Sequence, residues 1–168
     1  GHRHSLDYDL FINHSFENKR IVTSLKKKFS VDQVHISSRD ELTLMMHETK
    51  MTWYNFPYDV PCSVSWSGVI KMPDVLTIAA MKAFALGQRS KWKDYVDLFF
   101  VFKKHSLQDV VDKAHEYFGE GEFNDKLFRG QLDFHQDISY TEPVDWMPGF
   151  EVSQEEIRNT LIKKLIIP

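Results

Sequence analysis

The apolar pattern of this chain changes period at Pro73. Ahead of it lie short runs rich in β-branched and aromatic residues, bounded by turn formers. Beyond it, apolar residues recur three and four apart. Side chains alternate with period 2 on a strand and 3.6 on a helix, so the first part reads as sheet and the second as helix. Strands gathered in one half and helices in the other define an α+β fold rather than alternating βαβ units. The break is expected at 69–73, with residues 1–70 forming a sheet-containing core and 71–168 a helical region.

Within the first part, 6–13 reads as a strand. A helix over 16–29 follows, capped by Ser15, with Glu17 in its first turn and Lys26, Lys27 and Lys28 in its last. Those charges suit the helix dipole, and the lysine run reads as a solvated helix end. A short strand over 31–37 precedes a hairpin of 42–47 and 51–56 across Glu48-Thr49-Lys50. Pro57 and Pro61 end the sheet. In the second part, helices are expected over 75–86, stopped by Gly87, then over 92–104, 107–118 and 124–132. A last helix opens at Ser153 with a Ser-x-x-Glu start and runs to residue 166.

Composition sets outer limits. The 168 residues suit one domain, or one with an appendage, and are 42% apolar with thirteen Phe and four Trp, enough to fill a core. A net charge of −3 does not call for a nucleic-acid or anionic-membrane surface. The single cysteine, Cys62, excludes an internal disulfide. Scattered histidines lack the spacing of a zinc site. No apolar run approaches the ~20 residues of a membrane span. A cytoplasmic location without a membrane partner is expected.

The chemistry concentrates in Asp7-Tyr8-Asp9. Residues two apart on a strand share a face, so both carboxylates stand side by side. Like charges this close raise each other's pKa, and a hard cation between them relieves the repulsion. Mg²⁺ takes one or two carboxylates plus substrate phosphates, the arrangement needed for phosphoryl or nucleotidyl transfer. Two solvated aspartates at a strand end are the plainer alternative. Lys82 lies in the apolar run Ile78-Ala79-Ala80-Met81-Lys82-Ala83, so it must snorkel or meet an anion. Asp94 and Asp97 share a helix face, with Lys93 and Arg89 nearby. They read either as an acid/base or substrate-orienting cluster, or as a network tying the helix to Lys82 or Arg89. Arg3 can contact a phosphate or brace Asp7. Trp53, Tyr54, Phe56 and Tyr58 can stack a base or fill the core.

The run Gly1-His2-Arg3-His4-Ser5-Leu6-Asp7-Tyr8-Asp9-Leu10-Phe11 resembles the metal-binding motif of nucleotidyltransferase-fold toxins of the AbiEii abortive-infection type. Ile78-Ala79-Ala80-Met81-Lys82, then Arg89 and Lys91-Trp92-Lys93-Asp94-Tyr95-Val96-Asp97-Leu98, are similar to that family's second block. The stretch from Phe128 through Gln131-Leu132 and Asp137-Ile138 to Glu142-Pro143-Val144 is similar to its tail. The resemblance implies a small mixed sheet with helices, and Mg²⁺ held by Asp7 and Asp9. It implies catalytic roles for Asp7, Asp9 and Asp94, and substrate binding by Arg3, Ser5, Lys82, Lys93 and Asp97, with Lys82 on the triphosphate. The implied reaction carries a nucleotide from an NTP to an acceptor hydroxyl on RNA, protein or a small molecule, in the toxin of a toxin–antitoxin pair. An antitoxin is the implied partner. The family also places a strand, a helix and a Gly-Gly or Gly-Ser phosphate loop ahead of this motif, so such a segment is expected upstream. One residue departs from the pattern. Thr52 aligns where the fold carries a third carboxylate, and a threonine is neither a general base at neutral pH nor a good Mg²⁺ ligand. That departure favours the alternative, a catalytically degenerate member acting as a binding module through a protein partner.

Overall fold

The computed structural model describes residues 1–5 and 7–166, with Glu120 described in its backbone alone. Leu6, the expected first residue of the first strand, lies outside the described residues. The fold is α+β: the described residues form a mixed four-stranded sheet, a separate two-stranded sheet and six helices. The chain divides into two compact units, His4–Asp59 and a second that joins Gly1–Arg3 to Val60–Pro168.

In the first unit, β1 (Asp7–Ile12) leads to α1 (Asn18–Lys26), then β2 (Gln33–Ser37), β3 (Glu41–Met46) and β4 (Thr49–Asn55). The strand order is β1-β4-β3-β2. β1 runs parallel to β4, and the other neighbours are antiparallel. Alternation separates two faces. Leu42 and Leu44 are fully buried on one, with Met51 and Trp53 opposite them in register. The other face carries Asp7, Asp9 and Phe11 on β1, Lys50, Thr52 and Tyr54 on β4, and Glu41, Thr43 and Met45 on β3.

This unit differs in detail from the sequence reading: α1 ends at Lys26, so Lys27 and Lys28 lie beyond its last turn. Helix α1 begins at Asn18 with Glu17 at its N-cap, and no side chain caps it. Ser15 lies outside the helix. The Asn18 amide donates instead to Ser37 Oγ (2.9 Å) and the Ser38 carbonyl (2.7 Å), tying the helix start to the loop after β2. The β3–β4 turn is only His47-Glu48, with φ of 50° and 62°, and Thr49 and Lys50 belong to β4. Two-residue hairpin turns with both φ positive match the strand twist, and Asn-Gly is the pair best suited to them. A non-glycine residue there costs roughly 1–2 kcal/mol. Replacing His47-Glu48 by Asn-Gly is therefore expected to raise stability by about 1 kcal/mol or more. Urea unfolding measures this, and an unchanged midpoint contradicts the account of the turn.

The second unit opens with a hairpin the sequence reading lacked, β5 (Val64–Trp66) and β6 (Ile70–Met72). Its turn uses Ser67 and Gly68, both at positive φ, closed by the Val69 N–H donating to the Trp66 carbonyl. Because this hairpin groups with the helices, the units divide at Asp59, ahead of the expected break. Then follow α2 (Val75–Leu86), α3 (Trp92–Val101), α4 (Leu107–Glu122), α5 (Asp125–Asp133) and α6 (Gln154–Ile166). Asp74 caps α2, its carboxylate accepting from the Thr77 N–H at 2.8 Å. Gly119, at φ 71°, breaks α4 where the 107–118 helix was expected to stop.

Helix α2 packs against α3, α4 and α5, and α6 against α3 and α5. Ala79, Ala80 and Ala83 are fully buried and let neighbours approach α2 closely. Tyr95, Phe99, Phe128, Leu132, Ile157 and Leu161 fill the rest of the core. The first residues join this unit as a short extended piece. Arg3 bridges Trp146 antiparallel, and the His2 carbonyl accepts from the Met147 N–H at 3.1 Å.

Candidate functional site

Most of the residues singled out from the sequence fall into one group in each unit. In the sheet unit, Asp7 and Asp9 share a face of β1, and the parallel register sets Asp7 beside Lys50 and Asp9 beside Thr52. Lys50 Nζ donates to Asp7 Oδ2 at 3.0 Å, with both side chains more than a third exposed. Such a solvated pair contributes at most about 1 kcal/mol, so it neutralises Asp7 without locking it. Ser5 is exposed, and its hydroxyl donates to the Asp7 carbonyl at 3.4 Å. Thr52 is the register partner of Asp9 on the neighbouring strand. Its Oγ lies 3.2 Å from Thr43 Oγ, and Thr43 Oγ donates to Glu41 Oε1 at 2.8 Å.

The same face continues into aromatic rings. Phe11 and Tyr54 are register partners with centroids 6.3 Å apart, and both are well exposed. Phe56 lies 5.2 Å from Phe11 and 5.0 Å from Tyr58. Trp53 belongs to the opposite, apolar face. The exposed rings on this face therefore begin at Phe11, which the sequence reading had not picked out. The signal was its period-2 relation to Asp7 and Asp9.

In the helical unit, Lys82 projects from α2 between two carboxylates of α3. Its ammonium lies 2.9 Å from Asp94 Oδ1 and 2.6 Å from Asp97 Oδ2. Arg3 grips Asp97 in a fork, Nε to Oδ1 and Nη2 to Oδ2, each at 2.8 Å. Such bidentate bonds are among the strongest polar contacts available. His2 Nε2 also meets Asp97 Oδ1 at 2.7 Å, and the imidazole stacks on Phe100 at 4.2 Å. Arg89 Nε donates to Asp94 Oδ2 at 3.2 Å. Two buried carboxylates thus answer three fixed cations and His2.

Burial alone would push the Asp97 carboxyl up. Hydrogen bonds from Arg3 and His2 and the charge of Lys82 overcome it and hold that carboxyl far below the usual range. Burial likewise opposes the Lys82 ammonium, but Asp97 and Asp94 outweigh it and hold its pKa above the ordinary value. The hydrogen bond to Asp97 raises Arg3, more than offsetting burial.

Asp94, Asp97, Lys82 and Arg3 are thus gathered into one cluster, of which the sequence pattern had shown the Asp94/Asp97 face. Lys93 stands apart: its ammonium lies 3.4 Å from Glu142, which also takes Lys91 at 2.6 Å. The hydrogen bond from Lys91 and the two lysine charges lower the Glu142 pKa. His2, Lys50, Thr43 and Glu41 were not foreseen as part of either group. Strand register, absent from linear spacing, brings Lys50 beside Asp7 and Thr43 beside Thr52, with Glu41 two residues before Thr43 on the same face.

Asp7 and Asp9 supply two hard, solvent-reaching oxygen donors, and Lys50 pairs with Asp7. These residues fit a Mg²⁺ ion that takes its remaining ligands from substrate and water. No helix among the described residues is long and apolar enough to cross a membrane.

An uncharacterized protein of Aquifex aeolicus (strain VF5) is 31% identical to this chain over 125 residues, which is 68% of this chain and 60% of that protein. The chain therefore spans less than two thirds of that relative's length. No family model and no solved structure matches the chain.

Proposed function

We propose that this protein is a nucleotidyltransferase-like enzyme that carries a nucleotide from a Mg²⁺-bound NTP to an acceptor hydroxyl, as the toxin component of a toxin–antitoxin system. The observation that carries this reading is the pairing of Asp7 and Asp9 on one open sheet face with exposed aromatic rings in the next register row. Asp7 and Asp9 would hold the metal, which when bound draws charge from the phosphates as the oxyanion develops. Phe11 and Tyr54 offer a stacking surface for the base, worth about 1–3 kcal/mol per base. Lys50 neutralises Asp7 before the metal arrives. Lys82, buried between two carboxylates, keeps its charge and a fixed position. The motif resemblance assigns it the triphosphate and Asp94 a catalytic role, with Arg3, Ser5, Lys93 and Asp97 at the substrate. The acceptor is RNA, protein or a small molecule, and the reading places the enzyme in the cytoplasm with an antitoxin as partner.

A second reading has its own observation. Thr52 stands at the third carboxylate position, and its hydroxyl is engaged by Thr43. A fold that has lost catalysis would keep the nucleotide surface and act through a protein partner.

One experiment separates the two. The full-length protein is incubated with Mg²⁺, total RNA or total protein, and each NTP labelled at the α or the γ phosphate. Nucleotide transfer leaves α-label on the acceptor and releases γ-label with pyrophosphate. Transfer of γ-label indicates a kinase and refutes the proposal, while NTP binding without any transfer supports the degenerate reading.

A further inference from the structure

Nucleotide transfer to a hydroxyl needs somewhere for the hydroxyl proton to go, and Thr52 cannot keep it. The sheet provides a continuation. Asp9, Thr52 and Thr43 occupy one register row across β1, β4 and β3. Glu41 lies two residues before Thr43, on the same face of the same strand. A threonine hydroxyl has one proton to give and two lone pairs to receive with. Thr43 gives its proton to Glu41 Oε1 at 2.8 Å. The 3.2 Å contact between the two hydroxyls then has Thr52 as donor and Thr43 as acceptor. The lone pairs of Thr52 are left to accept from whatever lies beside Asp9. All three groups are thus oriented the same way, ending on a carboxylate. Thr43 is only 5% exposed, which shields the middle of the chain from water.

We propose that Thr52 and Thr43 relay the acceptor's proton to Glu41, which stands in for the missing third carboxylate from one strand further away. This rests on the nucleotide-transfer reading. In the step, the acceptor oxygen bonds to the α-phosphorus. The bond from that phosphorus to the bridging oxygen breaks, and pyrophosphate leaves with the electron pair. The acceptor's proton passes to Thr52 Oγ, the Thr52 proton to Thr43 Oγ, and the Thr43 proton to Glu41 Oε1. Glu41, only partly buried, then returns a proton to solvent. Glu41 never touches substrate and acts through the two hydroxyls as a positioning residue. A cross-strand Thr–Thr pair on its own is ordinary sheet packing. The carboxylate at its end and the single donor direction distinguish this one.

The test uses the full-length protein with α-labelled NTP and Mg²⁺. Glu41→Gln keeps an oxygen to accept from Thr43 but cannot take a proton, and it should lose about 10²–10⁴-fold in rate, the usual contribution of a general base. Thr43→Val should lose a comparable factor, and Thr43→Ser should retain most of the rate. A proton inventory in mixed H₂O and D₂O should be curved for wild type, where several protons move together, and lose that curvature in Glu41→Gln. Mn²⁺ affinity by electron paramagnetic resonance should be unchanged in Glu41→Gln, which separates a proton acceptor from a metal ligand. Thr52→Asp should restore the rate in the Glu41→Gln background by placing a carboxylate at the acceptor directly. An active wild type with a fully active Glu41→Gln overturns the relay and leaves the transfer reading intact. A wild type that transfers no nucleotide overturns both.

Discussion

Replacing Asp97 by alanine is expected to cost about 3–5 kcal/mol of stability, the penalty for removing one partner of a buried charge cluster. Asp97 receives Arg3 through two bonds, Lys82 through one and His2 through one. Its loss leaves the buried Lys82 ammonium with Asp94 and removes the bonds that tie His2 and Arg3 to Asp97. The measurement is urea unfolding of wild type and variant at neutral pH, and a loss below about 1 kcal/mol would place the cluster among weak surface pairs instead. Its pH dependence follows from the signs. Asp97 has a depressed folded pKa, so its contribution is present above the unfolded value near 3.9 and is lost as pH falls towards the folded one. Lys82 is raised, and burial raises Tyr95 to about 12. Their contributions are present below about pH 10 and are lost as pH rises through the raised values. Wild type should hold a stability plateau between these edges, and Asp97→Ala should flatten the acid edge.

How much of this was legible in sequence depends on how far apart the interacting residues lie. Helix α2 matched 75–86 because a largely apolar run ends at Gly87. Strand β1 was legible from its alternation, and that alternation put Asp7 and Asp9 on one face. The β5–β6 hairpin escaped because strands of three residues are too short to show a period. Ser67-Gly68 was a fair turn signal that the neighbouring prolines masked. The α1 cap was misassigned because Asn18 makes a tertiary bond that local spacing cannot show. The Asp94/Asp97 face was visible from a spacing of three. The fork from Arg3 spans 94 residues and was not. The register of β1 and β4 sets Thr52 beside Asp9, a neighbour relation that linear spacing does not show. Glu41 and Thr43 enter only through the β3–β4 pairing, which no linear motif encodes.

Asp9→Asn is expected to remove nucleotide transfer by on the order of 10³-fold or more. A metal that polarises the phosphates supplies several kcal/mol, and each 1.36 kcal/mol is a factor of ten. Asp9 is the stronger test of the two aspartates because Asp7 already has Lys50 at 3.0 Å, whereas Asp9 has Thr52, a neutral hydroxyl, as its neighbour in β4. The substitution preserves shape, so the fold should survive. It also removes one of two like charges, so without divalent metal the variant should be at least as stable as wild type. Wild type should gain thermal stability with rising Mg²⁺ as the folded state binds it, and Asp9→Asn should not. Lys50→Ala should act in the opposite sense. It removes the cation that competes at Asp7, so Mg²⁺ should stabilise this variant at lower concentration than wild type. Melting curves across a Mg²⁺ series measure all three proteins without any knowledge of the acceptor. If wild type, Asp9→Asn and Lys50→Ala respond alike to Mg²⁺, the two aspartates are solvated surface groups and the proposed metal site is overturned.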